Sequence, residues 1–70
     1  MRWSPDDVDR LERAIVDGDR VRLLRRGTEY VVVPLEVRAQ GTRDVLVATT
    51  NTGDDRSFVL DEIEWFDVIM

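Results

Sequence analysis

Four arginines packed into seven positions, Arg20, Arg22, Arg25 and Arg26 in "RVRLLRR", are the first residues whose chemistry asks for an explanation. A guanidinium is a planar, permanently charged fork, and several on one surface grip phosphate or carboxylate in bidentate fashion. In an extended strand Arg20, Arg22 and Arg26 share parity, so their side chains leave one face unless the turn at Gly27 begins early. The competing reading is a solvated face neutralised by the chain's own carboxylates, of which there are fifteen. The acids themselves offer little chemistry. "DGD" at 17–19, "NTGDD" and Asp61-Glu62 have fragments of calcium-loop composition but not the spacing of a complete loop, and turn formation accounts for them.

The residues needed for catalysis are missing. There is no cysteine and no histidine, which excludes disulfides, thiolate and imidazole metal ligands and a histidine general base. Ser4 and Ser57 have no base to activate them. Gly18, Gly27, Gly41 and Gly53 are scattered turn glycines rather than a phosphate loop. The sequence reads as a non-enzymatic binding protein with no cofactor and no metal.

Composition narrows the class further. Seventy residues make one domain, and 43% hydrophobic content supplies a small core. All ten basic residues are arginine, and the net charge is −5. That balance argues against generic duplex binding, which needs a basic footprint, and suits an acidic surface that meets a basic partner. The longest apolar run, Tyr30 to Leu35, is too short to span a membrane, and "MRWSPDD" lacks a signal-peptide core, so the expected location is cytoplasmic.

The spacing predicts the elements that position these groups. Ser4 suits a helix N-cap, Pro5 the first helical position and Asp6-Asp7 the first turn, with Trp3 and Val8 at hydrophobic-staple spacing. Val8, Leu11 and Ile15 recur as one stripe with Ala14 beside it, and Gly18 ends the helix, predicted over about 5–17. The period then changes to two. Strands are predicted over about 19–26, 29–40, 43–51, 56–60 and 64–69. In the second, Val31, Val33, Leu35 and Val37 fall on one face, and Pro34 marks an edge or a bend. "NTGDD" signals a hairpin. Between "RSFVL" and "EWFDVIM" only Asp61-Glu62-Ile63 intervene, enough for a single helical turn, with the two acids at the surface and Ile63 returned to the core.

One amphipathic helix and five short strands bury a core of this size best by curling the sheet. The expected fold is therefore mainly β: an N-terminal helix, then a five-stranded, strongly bent antiparallel Sm-like (SH3-type) barrel with a short helical turn between strands four and five. Phe58, Leu60, Ile63 and Phe66 are expected to be buried together.

Two families share features with this chain. From Ala14 to Ile69 it resembles a WYL domain, through the proline-bearing strand "YVVVPLEV" and the pattern Arg56, Phe58, Asp61, Ile63 in "RSFVLDEI". The namesake tripeptide is absent: Leu46 matches its leucine, but Asp44 and Val45 precede it, and Glu62 stands where that family has arginine. The chain is also similar to the Rof family of small acidic inhibitors of Rho-dependent termination, through the acidic helix "DVDRLERA" followed by "RSFVLDEI". Both resemblances imply an Sm-like fold and a role in transcription or RNA metabolism. The first adds Arg56 to Arg20, Arg22 and Arg26 as candidate ligand residues for a nucleotide or single-stranded nucleic acid.

The last strand supplies the other candidate site. With Phe66, Val68 and Met70 facing inward, Trp65, Asp67 and Ile69 face outward on a terminal strand, unless Trp3 or the helix folds over them. Exposed apolar groups beside an open edge point to a protein partner or a weak homodimer strengthened by salt. Protein-partner recognition is the leading expectation, ligand binding by the arginine face the competing one, and a structural accessory subunit the third.

Overall fold

The computed structural model describes residues 1–69; the expected inward position of Met70 lies outside them. A helix, α1 (Pro5–Asp17), precedes the strands β1 (Arg20–Arg25), β2 (Thr28–Gln40), β3 (Arg43–Thr50) and β4 (Asp55–Val59). A 3-10 turn, η1 (Leu60–Glu62), then leads to β5 (Ile63–Ile69). The protein is mainly β, and all five strands lie in one antiparallel sheet of order β4-β3-β2-β1-β5.

The helix forms as its caps require. Ser4 is extended and its hydroxyl accepts from the Asp7 N–H at 3.2 Å, while the Asp7 carboxylate accepts from the Ser4 N–H at 3.0 Å and the Ser4 hydroxyl at 2.9 Å. These bonds satisfy orphan donors of the first turn from both directions. Gly18 closes the helix at φ 71°, a left-handed conformation that a side chain would strain. Leu11 and Ala14 are buried, whereas Val8 is 36% exposed. The staple of Trp3 on Val8 is replaced by a longer reach: the Trp3 ring stacks on Phe66, centroids 5.0 Å apart at 16°, and its Nε1–H donates to the Leu60 carbonyl at 2.9 Å. An indole needs both a flat apolar surface and an acceptor, and only the seam around η1 offers both.

Two irregularities set the parity of the strands. Pro34 opposes Ala48 and Glu36 opposes Val47, so Leu35 is an extra residue in β2. Proline cannot donate to a ladder, and one inserted residue flips every side chain beyond it. The four residues expected on one face therefore do not share it. Val32 and Pro34 are buried, Val31 and Val33 lie on the opposite face, and Val37 opposes buried Leu46. A second shift, between Leu24 and Arg25 opposite Trp65 and Ile63, makes Glu64 the extra residue in β5. It lets Ile63 and Phe66, three positions apart, both face inward.

Phe58 on one edge strand and Phe66 on the other belong to a single cluster with Leu11, Leu23, Leu46, Leu60 and Ile63. The sheet is thus curled around its core, and Phe58, Leu60, Ile63 and Phe66 are buried together. The bent sheet is not closed: β4 and β5 are the two ends of the ladder and do not pair. The 3-10 turn connects them in sequence, and Trp3 ties that turn to the inner face of β5. That turn begins at Leu60, one residue earlier than "DEI", because the buried Leu60 is needed in the core before the chain can reverse.

Candidate functional site

The structure separates the arginines that the sequence placed together. Arg20 and Arg22 do leave the outer face of β1, alternating with buried Val21 and Leu23. Arg26 does not join them. The strand ends at Arg25, Arg26 turns at φ 51°, and its Nη2 reaches Glu62 at 3.2 Å. Arg25 donates from Nε to the other Glu62 oxygen, also at 3.2 Å, and its guanidinium lies 5.8 Å from the Phe58 ring centroid. The Gly27 N–H donates to Glu64 at 3.1 Å. Glu62, which ends the 3-10 turn, and Glu64 just beyond it therefore strap the β1–β2 turn, and both arginines there are spent on Glu62. Arg56 sits on the far edge of the ladder, 5.2 Å over the Tyr30 ring, which itself meets Phe58 edge-on at 5.1 Å.

Sequence reasoning missed Tyr30 and Arg25 as members of this aromatic and cationic cluster. Their contacts span 26 or more positions along the chain, so no local pattern signals them. No single arginine face exists; Arg20, Arg22, Arg26 and Arg56 occupy three separate places.

The outer face of β1 and β5 is different in kind. Reading across the pair, Arg20 opposes Ile69, Arg22 opposes Asp67 and Leu24 opposes Trp65. On the other side of β1, Val31 opposes Arg22 and Glu29 opposes Leu24. Trp65 is 37% exposed, and Leu24, Ile69 and Val31 are half-buried. Trp3 covers Phe66 on the inner side and leaves Trp65 bare. Leu24 shares the parity of Arg20 and Arg22, and that spacing is the signal by which it belongs to this face.

Electrostatics here are loose. Arg22 stands 3.7 Å from Glu29 and 5.5 Å over the Trp65 ring, both partners of the ion pair being about half exposed. The Asp67 carboxylate is 3.6 Å from Arg10, which also lies 4.9 Å over Phe66 and 3.7 Å from Asp7. Exposed pairs of this length contribute at most about 1 kcal/mol. Asp7 is held below the usual carboxylate range, first by the hydrogen bond from the Ser4 backbone, then by the Ser4 hydroxyl, with Arg10 adding a smaller pull.

Strand β5 pairs only with β1, so its second edge presents unpaired backbone groups among the described residues. A shallow crevice beside it, between α1 and β5, is lined by Arg10, Arg13, Ala14, Asp17, Asp19 and Val68, and its opposed charges give it no preference for an ion of either sign. Among the described residues no three acidic side chains gather in a way that would hold a metal. No helix is long and apolar enough to cross a membrane. No family model matches this chain, and no curated protein matches it either.

Proposed function

We propose that this chain is a small non-catalytic binding module that recognises a protein partner through the outer face of β1 and β5. One observation carries the reading: Trp65 and Ile69 of β5, with Leu24 of β1 opposite Trp65, form a partly exposed apolar strip beside the unpaired edge of β5. A small protein gains nothing in stability by displaying a half-exposed tryptophan beside an open edge, whereas an interface takes much of its energy from such anchors. The two resemblances suggest transcription or RNA metabolism as the setting.

The competing reading, a nucleotide or single-stranded nucleic acid held by Arg20, Arg22, Arg26 and Arg56, has less support. Two carboxylate oxygens of Glu62 already engage Arg25 and Arg26, and Arg56 is remote from the outer face. The test is capture from the native host with wild-type and Trp65→Ala baits. The expected result is a protein retained by the first and lost by the second. The opposite result is salt-sensitive binding of short single-stranded RNA near 50 mM salt, on the order where such contacts are strong, abolished by replacing Arg20, Arg22 and Arg56 together, with no Trp65-dependent protein.

A further inference from the structure

We propose that the free edge of β5 accepts an extended segment of the partner with the pattern apolar–x–basic–x–apolar. Its basic side chain lies opposite Asp67 and its two apolar side chains opposite Trp65 and Ile69. The proposal rests on the reading of the outer face as a protein-binding surface and gives that partner a chemistry.

Geometry fixes the pattern. Trp65, Asp67 and Ile69 alternate with buried Phe66 and half-buried Val68, so they lie in a row on the outer side of the edge. A strand added beside them meets all three with a five-residue stretch of roughly 14 Å, and only alternate residues touch this face. The apolar positions follow from the two apolar neighbours. The basic position follows from Asp67, an exposed carboxylate in a chain of net charge −5.

Arg10 shows that the position takes a cation. Its guanidinium touches Phe66 on the inner side and Asp67 on the outer side, and therefore crosses the free edge. An incoming strand displaces Arg10 and offers its own base in exchange, while Arg10 keeps Asp7 at 3.7 Å. Because the Arg10–Asp67 pair is exposed and long, little opposes the exchange.

A second copy of this chain fits the edge poorly. Two β5 strands laid antiparallel with Trp65 against Ile69 bring Asp67 directly against Asp67, and like charges so placed are destabilising. Sliding the register by two residues sets Trp65 against Asp67 instead. The other free edge, β4, alternates Asp55, Ser57 and Val59 outward, which would place Asp55 against Trp65 or Ile69. A separate chain with a central base avoids all three conflicts.

The test titrates the isotope-labelled full chain with short synthetic peptides that have valine two places on either side of a central lysine or glutamate. With the lysine peptide, amide shifts should concentrate in β5, and its outer-edge amides should gain exchange protection. The glutamate peptide should bind at least about fivefold more weakly, as expected when opposite charges across a strand pair become like ones. In Asp67→Lys the preference should invert, while the shifts of the core strands remain those of the folded protein. Equal binding of the two peptides, shifts at β4 instead, binding of neither at millimolar concentration, or self-association that occupies β5 would each overturn the proposal. If both peptides fail while a captured protein still depends on Trp65, only this inference falls and the binding-module reading stands.

Discussion

The turn end of the β1–β2 hairpin and the outer edge of β5 contain the same kinds of side chain and use them in opposite ways. At the turn, Arg25 and Arg26 share Glu62 and Glu64 holds the Gly27 amide, while Tyr30 meets Phe58 edge-on and carries Arg56 over its ring. Charge and aromatic surface are satisfied within the chain. At the edge, Trp65 has Leu24 opposite and Arg22 over its ring, Asp67 has a 3.6 Å contact with Arg10, and the backbone beyond is unpaired. The comparison teaches where to look for function in this protein. Groups that saturate one another belong to the fold, and groups left with loose partners are available to something else.

The largest expected effect falls on the saturated region. Phe58 is fully buried between Tyr30, Arg25 and Leu46, so Phe58→Ala should cost about 3–5 kcal/mol, enough to unfold most of a domain this small. Denaturant melts followed by circular dichroism measure it. Trp3→Phe comes next. It keeps the stack on Phe66 but loses the indole's bond to the Leu60 carbonyl, which still accepts from the Ile63 N–H, for a loss of roughly 1 kcal/mol. A loss much larger than that would mean the seam between β4 and β5 depends on Trp3 for closure.

Glu62→Gln should be milder, below about 1 kcal/mol, because both of its pairs are partly exposed. Its signature is a salt dependence weaker than that of the wild type in the same melts. The smallest effect is a pH dependence at the helix start. The Asp7 carboxyl is lowered by Ser4 in the folded chain, so its contribution is present above the ordinary carboxylate pKa and is lost as pH falls through the lowered folded value. Ser4→Ala should reduce that acid-side loss without removing it, because the Ser4 backbone N–H that lowers Asp7 most is retained. Asp7→Asn should remove it; an acid limb unchanged in Asp7→Asn would show that other carboxylates set it.

Much of the fold was legible because its signals are local. Ser4-Pro5-Asp6-Asp7 and Gly18 mark the helix by capping chemistry, "NTGDD" closes a hairpin, and the change of period after Gly18 announces strands. What the sequence hid depends on pairing. Pro34 indicated a bend, but whether Leu35 or a neighbour became the extra residue depends on β3, and that choice parted Val37 from Val31 and Val33. Likewise Arg26 left the strand because Glu62, 36 positions away, receives it at the turn. The outward row Trp65, Asp67, Ile69 was readable from alternation alone, whereas the arginine face dissolved once turns and distant carboxylates were in place.

The most direct test of the central claim, that the β5 face serves binding rather than folding, is Trp65→Ala followed by thermal melting and partner capture on the same preparation. The account predicts a midpoint within several degrees of the wild type, equivalent to about 1 kcal/mol or less for a domain of this length, together with loss of the captured protein. An unfolded Trp65→Ala chain would place Trp65 among the residues that hold the fold, and a folded one that still captures its partner would move the binding site elsewhere.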